Sequence, residues 1–221
     1  MKIVQTVGIN DADYPVSQSV NGKRQICPFY KVWTGMLTRC YNLKFKERRP
    51  TYKDCTVCEE WLTFSTFRSW MESQPWQGMR LDKDLTFMGN THYSPHTCAF
   101  IPNCINCILG TCKASRGEHP VGVSKEKIAK DMVNYLKNPF RAEVQTLNGK
   151  RKHLGMYSTA AEAHAAWQKG KIDVIREYIL WWEFDPSVNQ TFNTTIADNL
   201  LAIAEKIEQD LRKGVETLSY F

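Results

Sequence analysis

Three sets of side chains in this 221-residue chain have types and spacings suited to chemistry. The first lies in the polar stretch LDKDLTFMGNTHYSPHT, where Asp82, His92 and His96 fall close together. A carboxylate and imidazoles can hold a divalent cation and take a proton from water, the two tasks of metal-assisted phosphodiester hydrolysis. The second set is cysteine. Cys55 and Cys58 have the spacing of half a zinc site, and Cys40 and Cys98 stand at the ends of elements expected to converge on them, so these four are the favoured structural zinc set. Cys104 and Cys107, with Cys112, form a second half-site, and burial as small apolar residues is the other reading of all these thiols. The third set alternates along three strand candidates. In FRAEVQTL, Arg141, Glu143 and Gln145 point away from Phe140, Ala142 and Val144; in KRKHLGMY, Arg151 and His153 point away from Leu154 and Met156. In VGVSKEK, Lys125 and Lys127 share a row with Val123.

The elements that must position these residues are read from periodicity. Phe29, Trp33, Met36, Leu37 and Cys40 fall on one stripe of a helix, and Trp61, Phe64, Phe67, Trp70 and Met71 on a second, capped near Ser65; both stripes read as core. A short strand is expected over Ile3 to Val7, with further short strands around Leu81 and over Cys98 to Ile101. The basic run KFKERRP ends in a proline that marks a loop. After KASRGEHP come three strands, the last two joined at the hairpin signal Asn148-Gly149. Then follows a helix capped by Ser158, with Ala161, Ala165, Trp167, Ile172, Ile175 and Ile179 as its inner face. The expected fold is α+β: a helical region containing a ββα element over residues 1–112, then a three-stranded antiparallel sheet on one helix over 117–182. An amphipathic C-terminal helix closes it over 190–214. In that last helix Ile196, Leu200, Ile203 and Ile207 form a stripe that either docks on this chain or pairs with another protein or a second copy.

Composition narrows the function. With 43% apolar and 24% charged residues the chain is neither disordered nor a disulfide-stapled miniprotein, and no stretch is long enough to span a membrane. The start MKIVQTVGINDADYP has neither the basic region nor the apolar segment of a signal peptide, so a cytosolic setting with reduced or metal-bound cysteines is expected for the eight thiols. Positive charge is concentrated in residues 113–182, which carry 13 Lys and Arg against 7 Asp and Glu, whereas residues 183–221 carry 3 against 7. Contact with a polyanion is therefore expected from the middle of the chain.

The segment VGVS…FRAEVQTLNGKRKHLGMYSTAAEAHAAW resembles the apetala-type DNA-binding domain, in which a three-stranded sheet enters the major groove with a helix behind it. Carried over by position, the resemblance implies DNA contact by Lys125, Arg141, Glu143, Arg151 and His153; Lys127 and Gln145 join them from the alternation. His153 stands where the family often has tryptophan. The pattern KVWTGMLTRCYN…TYKDCTVCEEWLTFSTF…LDKDL…GNTHYSPHTCAFIP…IN resembles the HNH-endonuclease-like region that precedes this module in phage proteins. There Asp82 matches the metal-binding carboxylate, but Lys83 occupies the place of the general base and Thr97 that of an asparagine. His92, His96, Asp84 and Asn103 are the nearest substitutes.

The implied protein is a phage-type double-stranded DNA-binding protein, without efficient nuclease activity, in the cytoplasm of an infected host cell. Two other readings stay open. One is a homing-type HNH endonuclease using Mg²⁺ or Mn²⁺ with Asp82, His92 and His96 as its catalytic set; the other is a structural or protein-interaction factor on the same scaffold.

Overall fold

The computed structural model describes residues 1–110, 118–126, 137–147 and 149–218. They form two compact units, Met1–Ile101 and Pro102–Phe221.

The first unit opens with a hairpin of β1 (Lys2–Val4) and β2 (Gly8–Asn10). The expected strand over Ile3 to Val7 is cut short because Gln5 and Thr6 take positive φ and turn the chain. A second hairpin, β3 (Ser17–Val20) and β4 (Lys23–Ile26), leads into α1 (Pro28–Tyr41). Its predicted stripe is the centre of the core: Trp33, Met36, Leu37 and Cys40 are fully buried. Asn42 ends α1 and caps α2 (Leu43–Arg48), its side chain accepting from the Phe45 amide. After β5 (Thr56–Val57), Trp61 sits in a 3-10 turn rather than in the second helix, and its carbonyl accepts a 2.7 Å bond from the buried Trp33 indole. The helix itself, α3 (Phe64–Glu72), begins three residues later than the aromatic pattern suggests. Its N-terminus is held by Asp11, which accepts from the Ser65 amide at 3.0 Å and the Ser65 hydroxyl at 2.5 Å. Ser65 is thus capped from a distant loop and is not the cap. Three short strands complete the unit: β6 (Arg80–Asp82), β7 (His92–Tyr93) and β8 (Ala99–Ile101), with β6 antiparallel to β8 and β7 parallel to β5.

The second unit opens with α4 (Asn103–Cys107) and contains one antiparallel sheet of β9 (Val123–Lys125), β10 (Phe140–Gln145) and β11 (Arg151–Tyr157), with β10 central. The sheet packs on α5 (Ala160–Phe184), and α5 packs in turn on α6 (Thr194–Lys213). Taken over both units, the fold is mixed α+β, with several helices and a small antiparallel sheet against a long helix. Helix α5 starts at a capping box in which the Thr159 hydroxyl accepts from the Glu162 amide and the Glu162 carboxylate accepts from the Thr159 amide. Thr159 takes the capping place expected of Ser158, whose hydroxyl instead donates to Glu162. The helix runs two residues past the expected boundary at 182, to Phe184, until Asp185 and Pro186 stop it.

Because α5 is covered on two sides, its buried set is wider than the expected inner face. It includes Ala163, His164, Gln168, Lys171, Tyr178 and Trp182, while Ala161 is exposed. The stripe of α6 is spent inside this chain: Ile196, Leu200, Ile203 and Ile207 are all buried. A polar clasp closes the α5–α6 layer. The buried His164 ring bonds the Val121 carbonyl through Nδ1 and accepts from the Thr217 amide through Nε2, and Gln168 donates to Thr217 and the Val215 carbonyl. No helix among the described residues is long and apolar enough to cross a membrane.

Candidate nucleic-acid interface

The open face of the sheet is built by strand alternation and one irregularity. Val123, Ala142 and Val144 are buried toward α5, which leaves Arg141, Glu143 and Gln145 on the other face of the central strand. Across from them, Glu143 pairs with His153 and Gln145 with Arg151, so both residues join this face as the alternation requires. The register then shifts between Ala142 and Glu143, a β-bulge that inserts one residue on β11. Leu154 stays on the helix side, where it abuts Gly170. Met156 comes to lie opposite Arg141 on the open face, against the inward position the simple alternation gives it. Gly155, at φ +136, supplies the backbone conformation that this kink needs.

The face is an ion-pair network. Arg141 contacts Glu126 and lies 3.8 Å from Glu143, whose other oxygen lies 3.8 Å from Arg151. Glu143 is only 24% exposed at its side chain and Arg151 is 78% exposed, so the carboxylate is the seated end of the pair and the guanidinium the solvent-facing end. Such pairs contribute little to stability because solvent screens them. Their consequence is geometric: each guanidinium keeps donors to spare while one edge is steered by a carboxylate.

Lys125 lies elsewhere. It shares the row of Val123, opposite Phe140, with its ammonium 5.7 Å from the Phe140 ring centre. That is the edge of the helix-facing layer, not the Arg141 row. Lys127 and Asn148 lie outside the described residues.

The LDKD and GNTHYSPHT segments form a polar loop clasp in the first unit. Asp82 is buried and its Oδ1 accepts from the amides of Asp84 at 2.9 Å and Leu85 at 2.7 Å. Burial pushes its carboxyl up to about 6, against the pull of those two amides. Lys83 is buried as well, donating to Asp84 and, at 2.7 Å, to the Asn90 carbonyl. Burial alone would pull this ammonium down, but the bond to Asp84 and its charge outweigh that and hold it above the ordinary lysine value.

Asn90 is the hub that spacing did not reveal. Its amide donates to the carbonyls of Lys83 and His92 and its oxygen accepts from the His92 amide. Thr97, in the place of the expected asparagine, donates to the His92 carbonyl at 2.7 Å and accepts from the Ser94 amide. The His92 ring bonds the Thr56 hydroxyl at 2.9 Å across the parallel pair, and His96 is exposed. Both imidazoles act on Glu60, a residue not anticipated as a neighbour. Its carboxyl is held below the ordinary value by its own backbone amide, then by the Cys58 thiol, with smaller effects from His96 and His92. Asp82 instead feels Asp84 and Lys83.

Among the described residues no three His, Cys, Asp or Glu side chains are gathered to hold a metal. Asp82 is held at Oδ1 by two amides, so what the described residues show here is a fixed turn around a buried acid and not a gathered ligand set for Mg²⁺ or Mn²⁺. The four cysteines of the expected zinc set all belong to the core of the first unit, and Cys55 is near enough to Cys40 to raise its thiol further. Cys40, Cys55 and Cys98 are buried and Cys58 half-buried; burial pushes the thiols of Cys40 and Cys98 up to about 12 and that of Cys58 up to about 11, and raises Cys55. Compared with known proteins, the chain matches no family model, no characterised protein and no solved structure.

Proposed function

We propose that this chain is a phage-type double-stranded DNA-binding protein that reads its site with the open face of the β9–β10–β11 sheet and does not cut efficiently. The observation that carries the reading is that face: Arg141, Gln145, Arg151 and His153 stand together on a three-stranded antiparallel sheet whose other side is sealed by α5. A sheet of this kind enters a major groove, where arginine recognises guanine O6 and N7 and glutamine recognises adenine N6 and N7. Glu143 suits the same task twice over, as a steering group for both arginines and as an acceptor for cytosine N4.

In this reading β6 and β8, followed in sequence by α4, are a degenerate ββα element of the HNH kind. Lys83 at the general-base place is engaged with Asp84 and Asn90, and a protonated lysine accepts no proton from water. The endonuclease reading therefore has no base at that place.

The test incubates purified protein with supercoiled plasmid, with and without Mg²⁺ or Mn²⁺, and reads retention and nicking from the same samples. Retention that falls steeply with salt and no nicking is the expected result. Cleavage by wild type that vanishes with Asp82→Ala would make the enzyme reading primary. No retention at low salt would favour the protein-interaction reading. Competition between specific and random duplex then separates base reading from backbone contact: Arg141→Ala or Arg151→Ala should narrow the preference by ~1–3 kcal/mol.

A further inference from the structure

A groove in the first unit lies where α1, α2 and the chain after them meet. Its cationic lining comes from Lys31 and Arg39 on α1 and Arg49 just beyond α2, with Thr51 beside them and the rings of Phe45 and Tyr52, 5.7 Å apart, in its wall. No aspartate or glutamate lines it, and its volume of about 630 Å³ has room for a sugar-phosphate stretch rather than a single ion. The cations are set, not merely present. Arg39 donates from Nε to the buried Tyr93 hydroxyl at 2.9 Å and lies over that ring, which leaves its terminal nitrogens unspent. Lys46 ties α2 to the following turn by a 2.9 Å bond to the Lys53 carbonyl, fixing the stretch that carries Arg49 and Thr51. None of Lys31, Arg39 and Arg49 forms an ion pair among the described residues, although this chain pairs Arg68, Lys83, Arg141, Arg151, Lys206 and Arg212 with carboxylates. The basic run KFKERR adds Lys44 and Arg48 on α2 itself.

We infer that this groove binds the phosphodiester backbone of duplex DNA, a contact separate from the sheet and blind to sequence. Unpaired cations around a hollow free of carboxylates raise the local potential and release counterions from a polyanion, whereas hydroxyls and rings accommodate the sugar. The inference rests on the DNA-binding reading proposed above and locates part of the affinity in the unit that the charge count along the sequence did not favour.

The experiment measures duplex affinity against salt for the full chain, using a random-sequence duplex, with wild type, the double variant Lys31→Gln/Arg49→Gln and the charge-keeping double variant Lys31→Arg/Arg49→Lys. Both positions are exposed, so thermal melting should match wild type and certify the fold. Loss of two phosphate contacts lowers the slope of log affinity on log salt by about 1.8, which weakens binding by about 60-fold at 0.1 M salt relative to its effect at 1 M; the charge-keeping variant restores both. If wild type binds and the glutamine variant keeps its slope, the groove is not a contact and DNA binding stands without it. If wild type retains no duplex at low salt, the DNA-binding reading itself fails and the groove inference with it.

Discussion

On the open face of the sheet Arg141 and Arg151 share Glu143, whereas in the α1–α2 groove Lys31, Arg39 and Arg49 meet no carboxylate among the described residues. Inside the two units the pattern reverses. Lys83 of the first is buried against Asp84 and held above the ordinary lysine value, while Lys171 of the second donates to the Ile108 carbonyl and burial pulls it down to about 8. The difference teaches what each surface would contribute under the proposed DNA-binding reading. A paired guanidinium projects little field but arrives already oriented, which suits base edges; an unpaired one attracts phosphate from a distance and orients poorly. In that reading specificity and affinity fall to different side chains of one chain, as base and phosphate contacts do in DNA recognition generally.

The largest expected effect comes from breaking one side of this comparison. Gly122 precedes β9 at φ +80, and a Cβ there would fall 1.8 Å from Trp167 Cδ1. Gly122→Ala should cost ~3 kcal/mol or more and loosen the sheet from α5. Sequence preference should disappear while salt-dependent binding through the first unit survives; loss of both together would show that the two surfaces are not independent.

A smaller effect concerns the buried lysines. The folded value of Lys171 lies below its unfolded value near 10.5, so between about 8 and 10.5 the unfolded chain holds a proton the folded one lacks, and stability rises with pH across that window. Lys171→Met should flatten the rise by ~1–3 kcal/mol, read as the difference between wild-type and variant denaturation curves at pH 7.5 and 10. Parallel curves would mean that burial does not govern this ammonium.

The smallest effect turns the sheet into something more like the groove. Glu143→Gln frees Arg151 and part of Arg141, so affinity for random duplex should rise a few-fold and the salt slope steepen by up to about 1. Preference among sequences should weaken as the arginines lose their steering. An unchanged slope would place Glu143 outside the interface.

Helices with a clean period were legible in the sequence. Trp33, Met36, Leu37 and Cys40 announced α1, and the Ile196–Ile207 stripe announced α6, although only packing shows that α5 is what covers it. The ends of elements were harder. Gln5 and Thr6 adopt positive φ without a glycine to mark the turn, and WWEF carries no breaker before Asp185, so β1 was read too long and α5 too short. Alternation placed Arg141, Glu143, Gln145, Arg151 and His153 on one face, but it assumes an unbroken register; the bulge is what moves Met156 across. The groove was hidden for a different reason. Its cations sit on two helices and a turn, and counting charge along the chain cannot see residues that only the α1–α2 corner brings together. The histidines show the converse: His92 and His96 are near each other in sequence, yet His92 bonds Thr56 across the β5–β7 pair while His96 is exposed.

The clasp between His164 and the Thr217 amide sets an order of events at the ribosome. All the contacts that define the first unit are available once Ile101 has emerged. The long helix behind the sheet has no such early completion, since its second apolar side waits for α6 and its buried histidine for residue 217. At ~5–20 residues per second the first unit is complete about ten seconds before residue 217 is made, and for the last few of those seconds α5 is made but lacks its cover from α6. A growing chain of this protein thus completes the basic groove of its first unit before the sheet and its supporting helices are complete.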